Sequence, residues 1–135
     1  MATKRDIEIG GILCHFRSSA AVPRIYRLMF SRDLFKDMSK LADELEKSNR
    51  LEEKEKKKAE AEGRTYVKSS ALPLSSLEMF ENIAYVMAKH GDPSQPDNIG
   101  EWLDQFEMFD IYEILPQILD MWKIETHQES EQKKA

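Results

Sequence analysis

Apolar and polar positions alternate one by one only near the start of the chain. Ile7 and Ile9, then Ile12, Cys14 and Phe16, flank the dipeptide Gly10-Gly11. This pattern predicts a β-hairpin over Asp6 to Phe16, with Ile9 facing Ile12, Ile7 facing Cys14 and one apolar face. Beyond it the apolar spacing is helical. A short helix begins near Pro23 and buries Ile25, Tyr26, Met29 and Phe30, proline being tolerated where no intrahelical donor is needed. A second, with Ser31 as its expected cap, carries Leu34, Met38, Leu41 and Leu45 with Phe35 and Ala42 alongside. A third runs from Ser75 to Gly91 with Leu77, Phe80, Ile83, Ala84 and Met87 inward. Ser75 and Glu78 have capping-box spacing there, Leu74 and Met79 that of a hydrophobic staple, and Pro93 ends the run. Asp97 or Asn98 caps a fourth helix with Trp102 and Phe106.

Glu101 to Trp122 is the densest run of large apolar side chains and must be buried. Ile111, Leu115, Ile118 and Trp122, widened by Ile114 and Met121, form the stripe of a fifth helix. Pro116 predicts a kink or a fresh turn near Leu115, because proline lacks a backbone donor and crowds the carbonyl four residues earlier. Met108, Phe109 and Tyr112 add apolar surface at the junction, more than one helix face hides. They are the expected partner-binding residues.

The fold class is therefore mainly α (α+β), a small N-terminal β-hairpin on a bundle of about five helices. Residues 1–124 form one domain, with a charged, flexible or protruding insertion at about 46–71 and a polar, disordered tail at 125–135. Leu51 is the only large apolar residue in Lys47 to Arg64, where Glu52–Lys56 and Glu53–Lys57 pair at helical spacing and Gly63 is a plausible stop. At 135 residues, a chain of this size buries roughly 65–70% of its unfolded surface. Cys14 is the single cysteine, so nothing calls for an oxidising compartment. Neither a membrane span nor a signal-peptide apolar region is expected.

Charge changes the picture. Residues 1–42 carry eight Lys or Arg against four Asp or Glu, and residues 71–124 carry two against ten. Either the halves neutralise each other inside one domain, or the basic end of one copy meets the acidic end of another. Arg24, Arg27 and Arg32 are the expected self-association residues. The net charge of −5 argues against general nucleic-acid binding.

Candidate chemistry is sparse. There is no Gly-rich phosphate loop, HExxH, cysteine pair or nucleophile elbow. Adjacent Cys14 and His15 point to opposite sides of a strand. His90 suits the C-terminal end of its helix through the dipole, and His127 falls in the tail. Glu101 with Asp104 and Glu107 with Asp110 sit at helix-surface spacing. An acidic hydrolase site would need Glu101, Asp104 and Glu107 clustered with His90 around a pocket. The expectation is no enzyme, no metal and no cofactor.

Two blocks carry a resemblance: Phe16 to Leu41, with A-x-P-R-x-Y-R at Ala21 to Arg27 and F-x-R-D at Phe30 to Asp33, and Ser76 to Trp122, with W-L-D-x-F at Trp102 to Phe106 and I-Y-E-I-L-P at Ile111 to Pro116. In their order and in the polar insertion between them, the chain resembles the tail assembly chaperones of long-tailed, siphovirus-type phages and prophages of Gram-positive bacteria. The resemblance implies a non-catalytic protein of the host bacterial cytoplasm, absent from the mature virion. It implies a chaperone that binds the tape measure protein, keeps it soluble and promotes assembly of tail tube protein around it, with self-association of the chaperone. The family also has members lengthened by ribosomal frameshifting, and the Lys-Lys of the final EQKKA suits such a site. The alternative is a small phage or prophage regulatory or adaptor protein that binds one partner through an apolar helical patch.

Overall fold

The computed structural model describes residues 3–66 and 72–124; the expected disordered tail, His127 and residues 67–71 of the expected insertion lie outside them. Strands β1 (Thr3–Ile9) and β2 (Ile12–Ser18) pair antiparallel with Ile9 opposite Ile12 and Ile7 opposite Cys14, the register expected from the alternation. Gly10 and Gly11 both have positive φ, 54° and 84°, as the twist-matched two-residue hairpin turn demands. Ile7, Ile9, Cys14 and Phe16 are buried, while Ile12 at the rim of the same face is partly open.

Among the described residues five helices follow: α1 (Ala21–Phe30), α2 (Leu34–Ala61), α3 (Leu74–Gly91), α4 (Ile99–Leu103) and α5 (Ile111–Met121). The hub is α3, on which β2, α1, α2, α4 and α5 all pack; α5 in turn touches β1 and α2. Although Glu101 to Trp122 is richest in large apolar groups, the central place goes to α3 because both of its sides are apolar. Phe80, Ile83, Ala84, Met87 and also Tyr85, Val86 and Ala88 are buried.

Several caps differ from expectation. Asp33, not Ser31, caps α2, its carboxylate accepting from the backbone N–H groups of Phe35 and Lys36. Ser31 instead ends α1 in the left-handed conformation, φ 56°, its N–H donating to the Arg27 carbonyl. The capping box at Ser75 does not form: α3 begins one residue earlier, with the Pro73 carbonyl accepting from Ser76 and Leu77 and no side-chain cap. Leu74 is left outside, so the staple with Met79 is absent. Asn98 caps α4 by accepting from the Glu101 N–H. The α5 helix runs through Pro116 without a break between Ile111 and Met121.

The charged insertion is helical as far as Ala61, continuous with the core part of α2. It ends in the paired bonds of a Schellman motif, Arg64 N–H to Ala59 carbonyl at 2.8 Å and Gly63 N–H to Glu60 carbonyl at 3.2 Å, with Gly63 at φ 68°. One tie of α2 to the body is at Ser48, whose hydroxyl meets Tyr112 Oη at 2.9 Å. From Asn49 onward the helix is exposed apart from half-buried Glu52 and buried Ala59.

Candidate functional site

The residues that carry the family resemblance build the frame. Tyr26 is fully buried and donates its hydroxyl to Asp37 Oδ2 at 2.6 Å, while Arg32 reaches the same carboxylate with Nε at 2.7 Å and Nη2 at 2.8 Å. This triad locks the α1–α2 corner. Burial pushes the Asp37 carboxyl up, yet the bonds from Arg32 and Tyr26 outweigh it and hold it below the usual carboxylate range. The same arrangement pushes the Tyr26 phenol up, chiefly through burial. Nothing in the apolar periodicity pointed to this triad. Its signal was an aspartate in the core phase of α2 with an arginine five residues before it.

Trp102 is the second anchor. It lies against Tyr85, Phe106 and Phe109 with centroids 5.8, 5.1 and 5.4 Å away, and Phe109 meets Phe80 at 4.9 Å. Separation and tilt are those of favourable aromatic pairs. Of the expected partner-binding residues, Phe109 is therefore half-buried in this cluster, and Tyr112 is half-buried against Ser48. Met108 stands 70% exposed, its backbone against the Gly10 turn. The three do not form one continuous outward face.

Of the expected self-association residues, Arg32 is committed to Asp37, while Arg24 and Arg27 are exposed and have no ion-pair partner among the described residues. One ion pair among those residues joins the basic start to the acidic end, Arg5 to Asp120 at 2.6 Å, where Arg5 also donates to the Gln117 carbonyl. The halves are thus only slightly neutralised within the fold.

Open apolar surface next to a cavity is found on α1. Leu28 is 70% and Met29 50% exposed, and between α1 and α3 a cavity of about 320 Å³ is lined by Ile25, Met29, Tyr85, Val86, Lys89, His90 and Asp97. Its rim is held rigid. Lys89 Nζ donates to the Pro93 and Gln95 carbonyls and to Asp97 Oδ1, and Tyr85 donates its hydroxyl to the Pro96 carbonyl at 2.8 Å. These bonds fix the 93–97 loop against the α3 side of the groove.

At the end of α3 the charged form of His90 is disfavoured. Burial, and then the charge of Arg17, push its pKa below the ordinary value, and Nε2 pairs with Ser19 Oγ at 3.0 Å. The bond ties α3 to Ser19, just ahead of α1. Glu101, Asp104 and Glu107 are exposed and do not line the cavity beside His90, so the acidic constellation is not brought together. Cys14 is buried, its thiol pushed up to about 11 by burial and then by Asp92, whereas His15 faces outward against Asp6. Among the described residues no helix is long and apolar enough to cross a membrane. Comparison of the chain with protein-family models, curated proteins and solved structures finds no match.

Proposed function

We propose that the chain is a non-catalytic tail assembly chaperone whose α1–α3 groove receives an amphipathic helical segment of the tape measure protein. The observation that carries this reading is the open apolar groove itself: Ile25, Met29, Tyr85 and Val86 line it and Leu28 stands exposed on the same helix. Helix-in-groove recognition needs an apolar trough with a firm rim, and exposed large apolar side chains on one helix are a feature of surfaces that meet partners. The resemblance supports the same reading; of its motif residues, Tyr26 and Arg32 lock the α1–α2 corner and Trp102 packs on Tyr85, which lines the groove. The protein then works in the host bacterial cytoplasm, holds the tape measure soluble while tail tube protein gathers, and leaves before the virion is complete.

Co-expression with the tape measure protein tests this. The wild-type chain should keep it soluble and co-purify with it. Met29→Asp, which places a charge at the groove mouth, should lose both effects while keeping its helical content. Tape measure protein that is equally soluble without the chain, or that binds Met29→Asp unchanged, would refute the reading.

A further inference from the structure

Helix continuity gives α2 a second face. At 100° per residue, Lys36, Lys40, Lys47, Arg50, Lys54 and Lys58 fall within about 40° of one line, and all six are exposed. The line is interrupted only by Asp43, and it is nearly opposite the buried side made by Leu34, Met38, Leu41, Leu45 and Ser48. From Lys36 to Lys58 it extends about 33 Å along the axis. Of these cations only Arg50 is in an ion pair among the described residues, with Glu46 on its own helix. Charge of the opposite sign gathers elsewhere on the chain, in the 101–113 segment. Glu101, Asp104, Glu107, Asp110 and Glu113 recur every third residue, all but half-buried Asp110 exposed, and none is in an ion pair among the described residues.

We infer that the lysine face of α2 docks on the acidic 101–113 edge of a second copy of this chain. The two surfaces cannot meet within one molecule, because α5 reaches α2 at Ser48, on the buried side of the helix, and the lysines point the opposite way. Each copy therefore carries one unspent surface of each sign, and the contact is heterologous. The cationic partner is α2 and not α1, since α1 offers only Arg24 and Arg27 once Arg32 is held by Asp37. This goes beyond the client reading. It leaves the α1–α3 groove open and requires no client, so the two can fail separately.

The test uses the full chain and two variants. Lys47→Glu, Lys54→Glu and Lys58→Glu together reverse the outer part of the face while sparing the Asp37 corner; Glu101→Lys, Asp104→Lys and Glu107→Lys together reverse the edge. Sedimentation at low salt should show the wild-type chain associating. Each variant alone should associate at least about tenfold more weakly, as expected when several rim charges are reversed. An equimolar mixture of the two should recover association to nearly the wild-type level, because the surviving surface of each matches the other. Circular dichroism checks that both are folded, and Gln at the same six positions supplies a milder pair with the same expected order. A wild-type chain that stays monomeric at low salt, a mixture that does not recover, or a lysine face that binds short duplex DNA while self-association ignores both variants would each overturn the inference.

Discussion

Gly91 sits directly beneath the backbone carbonyl of His15. A Cβ at Gly91 would collide with the His15 carbonyl oxygen and carbon and press on the Phe16 carbonyl carbon, all main-chain atoms of β2. The glycine is there to let the hairpin lie on the end of α3, since its own backbone is ordinary and helical. Gly91→Ala should therefore destabilise the fold by about 1–3 kcal/mol, the usual cost of overpacking, although alanine is the better helix former. Urea denaturation measures this. An unchanged midpoint would mean that the hairpin can lift without cost.

The Tyr26–Asp37–Arg32 corner makes stability depend on acid. Asp37 has a folded pKa below its unfolded value, so its contribution is fully present above the unfolded carboxylate pKa and is lost as pH falls through the folded one. The pH window is thus the acidic range below about 4. Asp37→Asn should flatten the wild-type loss of stability over that range. At neutral pH it should cost about 1–3 kcal/mol, a charge-assisted bond being weakened while Arg32 stays half in solvent. Equal acid sensitivity in both proteins would remove the corner from the account.

Pro116 stands inside α5 on its exposed side. It withholds one intrahelical donor while neighbouring Ile114, Leu115, Ile118 and Leu119 keep the helix in place by burial. Pro116→Ala should raise stability by about 1 kcal/mol, the restored helical bond exceeding the entropy gained by the unfolded chain. Thermal melting gives the answer, and a lowered midpoint would assign the proline a shape that the core requires.

How legible each part was follows from the kind of physics that sets it. The hairpin register was readable because strict alternation about Gly10-Gly11 allows only one pairing with a single buried face. The inward faces of α2, α3 and α5 were readable because burial follows helical period, whereas α1 buries Val22 and Tyr26 and leaves the expected Met29 half exposed. Caps were less so: Ser31 and Asp33 both qualify by type, and the choice between them depends on where α1 ends. The fate of residues 46–61 was open, since a stretch polar all round gives no phase to read. Its helical state comes from continuity with the buried half of α2. The groove could not be read because Ile25 and Met29 look like core on α1 alone. Only the space left between α1 and α3 in the folded chain leaves them accessible.

Leu28 separates fold from function on one helix. It is 70% exposed, so Leu28→Asp should change stability by no more than about 0.5 kcal/mol while weakening capture of a helical client. Buried Val22 on the same helix should behave in reverse when shortened to alanine, costing stability with little direct effect on capture. Parallel denaturation and pull-down assays compare the two; a Leu28→Asp protein that captures client normally would move the contact off α1.

The most direct measurement is hydrogen–deuterium exchange of the chain with and without a tape measure segment bound. A helix seated in the groove should slow exchange in α1 from Ala21 to Phe30 and in the last two turns of α3, Tyr85 to Gly91, and leave the Glu101 to Asp110 segment unchanged. Protection confined to 101–112, or no protection anywhere in the presence of saturating client, would contradict the assignment of the α1–α3 groove as the binding site.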